Sequence, residues 1–195
     1  MKYIFLLLLI SVNQASQFRL PIKSKDISLT EIGNFGVERK ARPGIPAHLH
    51  SGIDIKPPNN NYLTQEYIYP IAKGVVISKR TDGPFAQLII EHELEGEILW
   101  TVYEHIAAIE VDLFEPVRKE APIARFFLAN ELDNIGWQFN HFHFEILRKR
   151  PIELRPSHKN PERLFSSYSL SCHSPEDLNE HFYDPMVFLT DKVQF

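Results

Sequence analysis

Cysteine is nearly absent: Cys172 is the one thiol in 195 residues. It has no intramolecular partner, so no disulfide staples the chain, and a zinc site built on thiolates is excluded. The fold must stand on its own apolar core. Clustered positive charge is also scarce. The formal charge is −4, and a modestly acidic chain offers nothing for a phosphate backbone, which is held by grouped Lys and Arg. Arg148-Lys149-Arg150 is the one concentrated basic run, and before Pro151 it reads as a solvated strand end. There is no Gly-rich phosphate loop, no GxSxG elbow and no HExxH helix, so nucleotide binding, serine hydrolysis and the glutamate-assisted type of zinc site have no support. No internal repeat or low-complexity tract interrupts the chain.

The first residues read as a leader. Lys2 supplies a positive start, Ile4 to Val12 an apolar run, and Ala15 and Ser16 small residues near a cleavage point, which together read as an export signal over residues 1–16. The apolar run is shorter than the roughly 20 residues of a spanning helix, so no membrane span is expected once the signal is removed. No cysteine lies near it to carry a lipid. Loss of Lys2 lowers the formal charge to −5. With 44% hydrophobic and 12% aromatic residues, the remainder suffices for one substantial core.

Short strand-like runs follow one another at Tyr67–Ile71, Gly74–Ser78, Gln87–His92 and Leu99–His105. They are separated by turn signals at Lys73-Gly74, Asp82-Gly83-Pro84 and Gly96. That spacing predicts an all-β fold, not alternating strands and helices. Residues 126–136 read as an irregular connection. After Pro151 the chain becomes proline-punctuated yet keeps Leu164, Phe165, Tyr168, Phe182, Tyr183, Val187 and Phe188. Residues 151–195 are therefore expected to pack on the main body of residues 17–150 as an extension. A short helix is expected at Pro175–His181, started by Ser174.

The chemistry gathers around His141-Phe142-His143-Phe144-Glu145. A strand has period two, so both imidazoles lie on one face and Phe142, Phe144 and Ile146 on the other. Paired histidines on a strand supply a metal ligand and a proton-transfer group side by side. His50 and Asp54 form the second element. In a straight strand they would stand roughly 13 Å apart, but a bend at Ser51-Gly52 brings both side chains inward. An imidazole and a carboxylate here, with a second imidazole from the HxH strand, make three N/O ligands. Such a set suits zinc and leaves one coordination position open for water. His105, closing Tyr103-Glu104-His105, can bring another histidine into the same cleft. Glu145 shares the His143 side by parity and can orient a ligand. His48 makes a second HxH with His50 and competes for the same role; His92 reads as a strand-end residue, and His158, His173 and His181 as surface. Trp100 and Phe127 read as core, whereas Trp137 and Phe139 can line a substrate groove.

The succession FGVERKARPGIPAHLHSGIDI, YPIAKGVVIS, LIIEHELEGEILWTVYEHI and HFHFEI resembles the lysostaphin and LytM family of zinc metalloendopeptidases. The likeness runs in order over residues 33–147. It implies a small antiparallel β barrel or sandwich holding one zinc ion per chain, with His50, Asp54 and His143 as ligands and His105 and His141 as non-ligating catalytic histidines. It further implies peptide stems or bridges of peptidoglycan as the substrate and a periplasmic or extracellular location. The same family contains non-catalytic modules that regulate cell-wall amidases, and a zinc peptidase acting on other bacterial peptides is the remaining reading. The approach Asn134-Ile135-Gly136-Trp137-Gln138-Phe139-Asn140 departs from the family's glycine-rich form, and that loop shapes the groove.

Overall fold

The computed structural model describes residues 16–94, 96–136 and 140–193. Residues 1–15 of the expected export signal, and Trp137 and Phe139 of the expected groove lining, lie outside them. In chain order the strands are β1 (Glu38–Arg39), β2 (His48–Leu49), β3 (Ile53–Ile55), β4 (Tyr67–Ile68), β5 (Gly74–Arg80), β6 (Gln87–Leu94) and β7 (Glu97–Glu104). Then come β8 (Pro116–Val117), β9 (Ala124–Arg125), the helix α1 (Ala129–Ile135) and β10 (Phe142–Leu147). The tail adds β11 (Ile152–Glu153), β12 (Phe165–Ser166), α2 (Pro175–His181), β13 (Phe182–Tyr183) and α3 (Pro185–Lys192).

One antiparallel sheet dominates, in the order β13-β10-β7-β6-β5-β8, with β3 also paired to β10. The path is open and sandwich-like, and the pairs β1-β2, β4-β9 and β11-β12 flank it. The long central ladder forms because its strands are rich in β-branched and aromatic residues, buried on both faces. On one face Leu88, Ile90, Tyr103, Phe142, Phe144 and Ile146 join Ile53 and Ile55 in the larger core. Alternate residues Ile89, Trp100, Val102 and Leu147 turn to the other face, where the tail's Phe165, Cys172, Leu178 and Phe182 close over them. The expected strands at 74–78 and 87–92 are present and run two residues further, the one expected at 99–105 spans Glu97–Glu104 and leaves His105 just beyond its end, and the run from Tyr67 keeps only two residues in strand.

Phe165, Cys172, Leu178 and Phe182 of the tail lie in the second core cluster. Helix α2 spans Pro175–His181, and Ser174 Oγ accepts a hydrogen bond from Asp177 N at 3.1 Å, capping it. Helix α1 was expected as an irregular connection. Its sequence ANELDNI lacks an apolar stripe, and the helix is instead fastened by Arg125, whose guanidinium makes a two-pronged contact with Glu131 at 2.6 and 2.7 Å. No helix among the described residues is long and apolar enough to cross a membrane.

Candidate metal centre

Strand register brings the site together. Asp54 on β3 is the direct cross-strand partner of His143 on β10. His50 continues β2 in extended backbone, its N–H donating to Val37 O at 2.9 Å and its carbonyl accepting from Gly36 N at 2.8 Å. The result is a cluster of His50, Asp54 and His143, all buried, with one ligand-type atom from each converging on a common point. His50 Nε2 lies 3.1 Å from Asp54 Oδ1 and 3.0 Å from His143 Nδ1, and His143 Nδ1 lies 3.0 Å from Asp54 Oδ1.

Proton positions follow from the partners on the far side of each ring. His50 Nδ1 meets the carbonyl of Asn34 at 2.9 Å, which only accepts, so Nδ1 carries the hydrogen and Nε2 offers a lone pair. His143 Nε2 meets Glu145 Oε1 at 2.9 Å and donates there, which frees Nδ1. Two ring nitrogens with their lone pairs aimed at each other at 3.0 Å, beside a carboxylate oxygen, require a positive charge between them. A proton or a metal cation meets that need, and two imidazole nitrogens with one carboxylate oxygen make a donor set suited to zinc.

The charges agree with this layout. Burial works against charge on His143, but its hydrogen bonds to Asp54 and Glu145 outweigh it and carry its pKa up to about 10. Burial also opposes the Asp54 and Glu145 carboxylates, yet their contacts with His143, and for Asp54 also with His50, hold both well below the usual carboxylate range. Burial pushes His50 down from 6.5.

The other two histidines stand beside the cluster. His105 and His141 meet edge to face with ring centroids 5.5 Å apart, and His141 Nε2 is 3.7 Å from Asp54 Oδ1. Burial lowers the pKa of His105, and lowers that of His141 to about 4, so both are neutral at pH 7. His105 has φ +62°, a left-handed conformation that costs a non-glycine residue of order 1 kcal/mol. Its Nδ1 donates to Pro84 O at 2.5 Å, which fixes the ring and leaves Nε2 as the basic nitrogen.

His48 lies outside the group: it sits on β2 with its Nδ1 2.9 Å from Pro46 O. His92 is no ligand either. It was expected at a strand end but is fully buried within β6, between Lys73 O and Thr101 Oγ1, each at 2.8 Å. His158 and His173 are exposed, and half-buried His181 stacks on Tyr168 at 4.3 Å between centroids. Trp100 is buried and Phe127 only half-buried.

Two supporting residues escaped the sequence reading. Arg39 Nη2 donates to Asp54 Oδ2 at 2.6 Å, holding the carboxylate so that Oδ1 faces the histidines. Ser51 Oγ donates to Glu145 Oε1 at 2.5 Å, so this serine helps hold the acid behind His143. The sole sequence signal for Arg39 is its place in the FGVER segment ahead of HSGID. Gly52 acts differently from the expected bend. A Cβ there would collide with Phe144 O and come within 2.9 Å of His143 Cε1, so glycine allows β3 to approach β10 closely.

An antiparallel sheet thus carries a histidine-aspartate-histidine cluster that could hold a metal ion, with two further histidines beside it. A family model described as peptidase family M23 matches residues 48–156, and the chain belongs to that family. Among solved structures it is similar to a zinc-containing peptidase from Vibrio cholerae, at 23% identity and TM-score 0.49, covering 68% of this chain and 37% of that one. It is also similar to lysostaphin, at 15% identity and TM-score 0.49, covering 85% of this chain and 51% of that one. LytU matches at 19% identity and TM-score 0.49, covering 87% of this chain and 88% of that one. The chain thus spans little more than a third of the Vibrio cholerae peptidase. No curated protein sequence matches.

Proposed function

We propose that the protein is an exported zinc metalloendopeptidase that hydrolyses peptide bonds in peptidoglycan cross-links. The observation that carries this reading is the mutual approach of His50 Nε2, Asp54 Oδ1 and His143 Nδ1 to within 3.1 Å, with His105 and His141 beside them. Residues 1–16 act as the export signal, residues 17–150 form the peptidase body, and residues 151–195 an extension. His50, Asp54 and His143 are the metal ligands, and His105 and His141 the catalytic pair.

His50, Asp54 and His143 would hold a zinc ion, which would supply Lewis-acid chemistry, acidifying a water to a pKa of about 7 and polarising the scissile carbonyl. The chain's own groups handle the protons. His105 Nε2, neutral and fixed by Pro84, accepts the proton of the attacking water and returns it to the leaving amine. His141, neutral and against Asp54, donates to the oxygen on which negative charge develops. Arg39 and Glu145 keep Asp54 and His143 in their binding orientation throughout.

Digestion of cross-linked muropeptides and of glycine-bridged peptides by the mature protein tests the substrate. New amino termini from the muropeptides support the proposal, and cleavage of the glycine-bridged peptides alone overturns its substrate class. Protein that cuts neither but stimulates a cell-wall amidase is the non-catalytic module instead.

A further inference from the structure

His105 stands one residue beyond the end of β7 with its backbone at φ +62°, so the sheet does not set its ring. The ring is held by the turn that joins β5 to β6: His105 Nδ1 donates to Pro84 O at 2.5 Å. Register brings the two together, because Gln87 at the start of β6 pairs with Glu104 at the end of β7. Pro84 is the middle residue of a single 3-10 turn, Gly83–Phe85. That turn has little of its own to keep it in place. None of its three residues is buried, Gly83 has φ +56° with nothing within 4 Å of where a Cβ would stand, and Asp82, in the position to cap it, makes no side-chain capping bond.

Arg80 supplies the hold. It is the last residue of β5 and pairs with Gln87 across the hairpin, so its backbone belongs to the central sheet. Its guanidinium grips the Asp82 carboxylate with two prongs, Nε to Oδ1 and Nη2 to Oδ2, the latter at 3.0 Å. The same guanidinium lies over the Phe85 ring, 5.3 Å from its centroid, and that ring stands 6.2 Å from the His105 ring. One cation anchored in the sheet therefore holds both flanks of Pro84. The Arg80 and Asp82 side chains are only 18% and 25% exposed, which spares the pair much of the screening that weakens an open ion pair. Lys159 approaches Asp82 Oδ2 at 3.7 Å, but its side chain is 79% exposed and adds little.

We propose that Arg80 and Asp82 are positioning residues for His105. Their ion pair sets the turn so that the Pro84 carbonyl meets Nδ1–H, and the ring is thereby kept in one orientation and one tautomer, with Nε2 as the basic nitrogen. Without the pair the carbonyl drifts from the ring, the hydrogen distributes between the two nitrogens, and a fraction of molecules present an N–H where a base is needed. The effect on catalysis rests on the peptidase reading above; the effect on the ring does not.

Nitrogen NMR of the metal-free mature protein at neutral pH reads the ring directly. Wild type is expected to carry the His105 hydrogen on Nδ1 alone. Arg80→Ala and Asp82→Ala are expected to show both tautomers, with Arg80→Lys, which keeps the charge but not the fork, in between. Digestion of cross-linked muropeptides by the zinc-loaded chain is the second readout. Arg80→Ala is expected to lower kcat about 10–100-fold, the cost of misplacing a reacting group by about 1 Å, with KM and zinc content unchanged. In a His105→Ala background the same substitution is expected to cost little more, because Arg80 acts through His105. Wild-type kcat with a single tautomer in Arg80→Ala would overturn the proposal. So would a loss that adds in full to that of His105→Ala, or zinc lost together with turnover. An inactive wild type whose His105 tautomer still depends on Arg80 would overturn the peptidase reading and uphold the clamp.

Discussion

His143 and Asp54 face each other directly across the β3-β10 ladder, and their ligand atoms Nδ1 and Oδ1 are 3.0 Å apart. A hydrogen-bonded sheet thus fixes two of the three members of the metal cluster by register alone, and His50 is added from the preceding extended segment. Under the proposed ligand set, His143→Ala leaves two protein ligands. Zinc content and peptidase activity should fall together, read by elemental analysis of the purified variant and by release of amino termini. Full zinc occupancy in that variant would show that the ligand set is wrong.

The proposed reaction assigns proton transfer to His105, which is absent from the candidate ligand cluster. His105→Ala should keep its zinc and lose about 10²–10⁴-fold in turnover, the range for removal of a general acid or base. Turnover equal to wild type would remove His105 from the mechanism.

Arg39 covers Asp54 Oδ2 from a neighbouring strand. Arg39→Ala strips a buried carboxylate oxygen of its charged partner, and zinc affinity should drop about tenfold or more, with Arg39→Lys intermediate because it keeps charge but not the planar fork. Chelator competition gives the order directly. An Arg39→Ala variant as tight as wild type would leave Asp54 held by the histidines alone.

Gly52 leads into β3 against β10, and the atom a Cβ would strike first is the backbone oxygen of Phe144, which cannot swing aside. Gly52→Ala should cost about 1–3 kcal/mol of stability, as overpacking does, and should weaken zinc by prising Asp54 from His143. Urea unfolding with a parallel zinc titration measures both. An alanine variant with unchanged stability would mean that the strands can shift apart freely.

His92 is buried in β6, remote in role from the cluster, and burial holds its pKa at about 4 against 6.5 in the unfolded chain. The unfolded state therefore binds the proton first. This group's contribution, about 3 kcal/mol, is present above pH 6.5 and lost as pH falls from 6.5 towards 4. Replacing it by glutamine should lower stability at pH 7 and flatten the acid limb of the stability profile. Equal slopes for His92→Gln and wild type between pH 6.5 and 4 would contradict the assignment.

Residues close in sequence were legible; those joined across the sheet were not. Period-two alternation separates His143 and Glu145 from Phe142 and Phe144, and the strand bears it out. Ser174 followed by Pro175 marks a helix start, and α2 begins there. By contrast, α1 depends on Arg125 reaching Glu131, which no apolar period reports. His92 ends an apolar run in sequence, but its burial comes from Lys73 and Thr101 on neighbouring segments. Arg39 against Asp54, and Ser51 against Glu145, are pairings across the fold, visible only once strand register is known.

The most direct test of the account is the zinc content of the purified mature protein, measured with peptidoglycan digestion in the presence and absence of a chelator. One zinc per chain and chelator-sensitive release of new amino termini are the expected result. Metal-free protein that binds cell wall without cutting it would contradict the account and leave the five-residue constellation without a catalytic role.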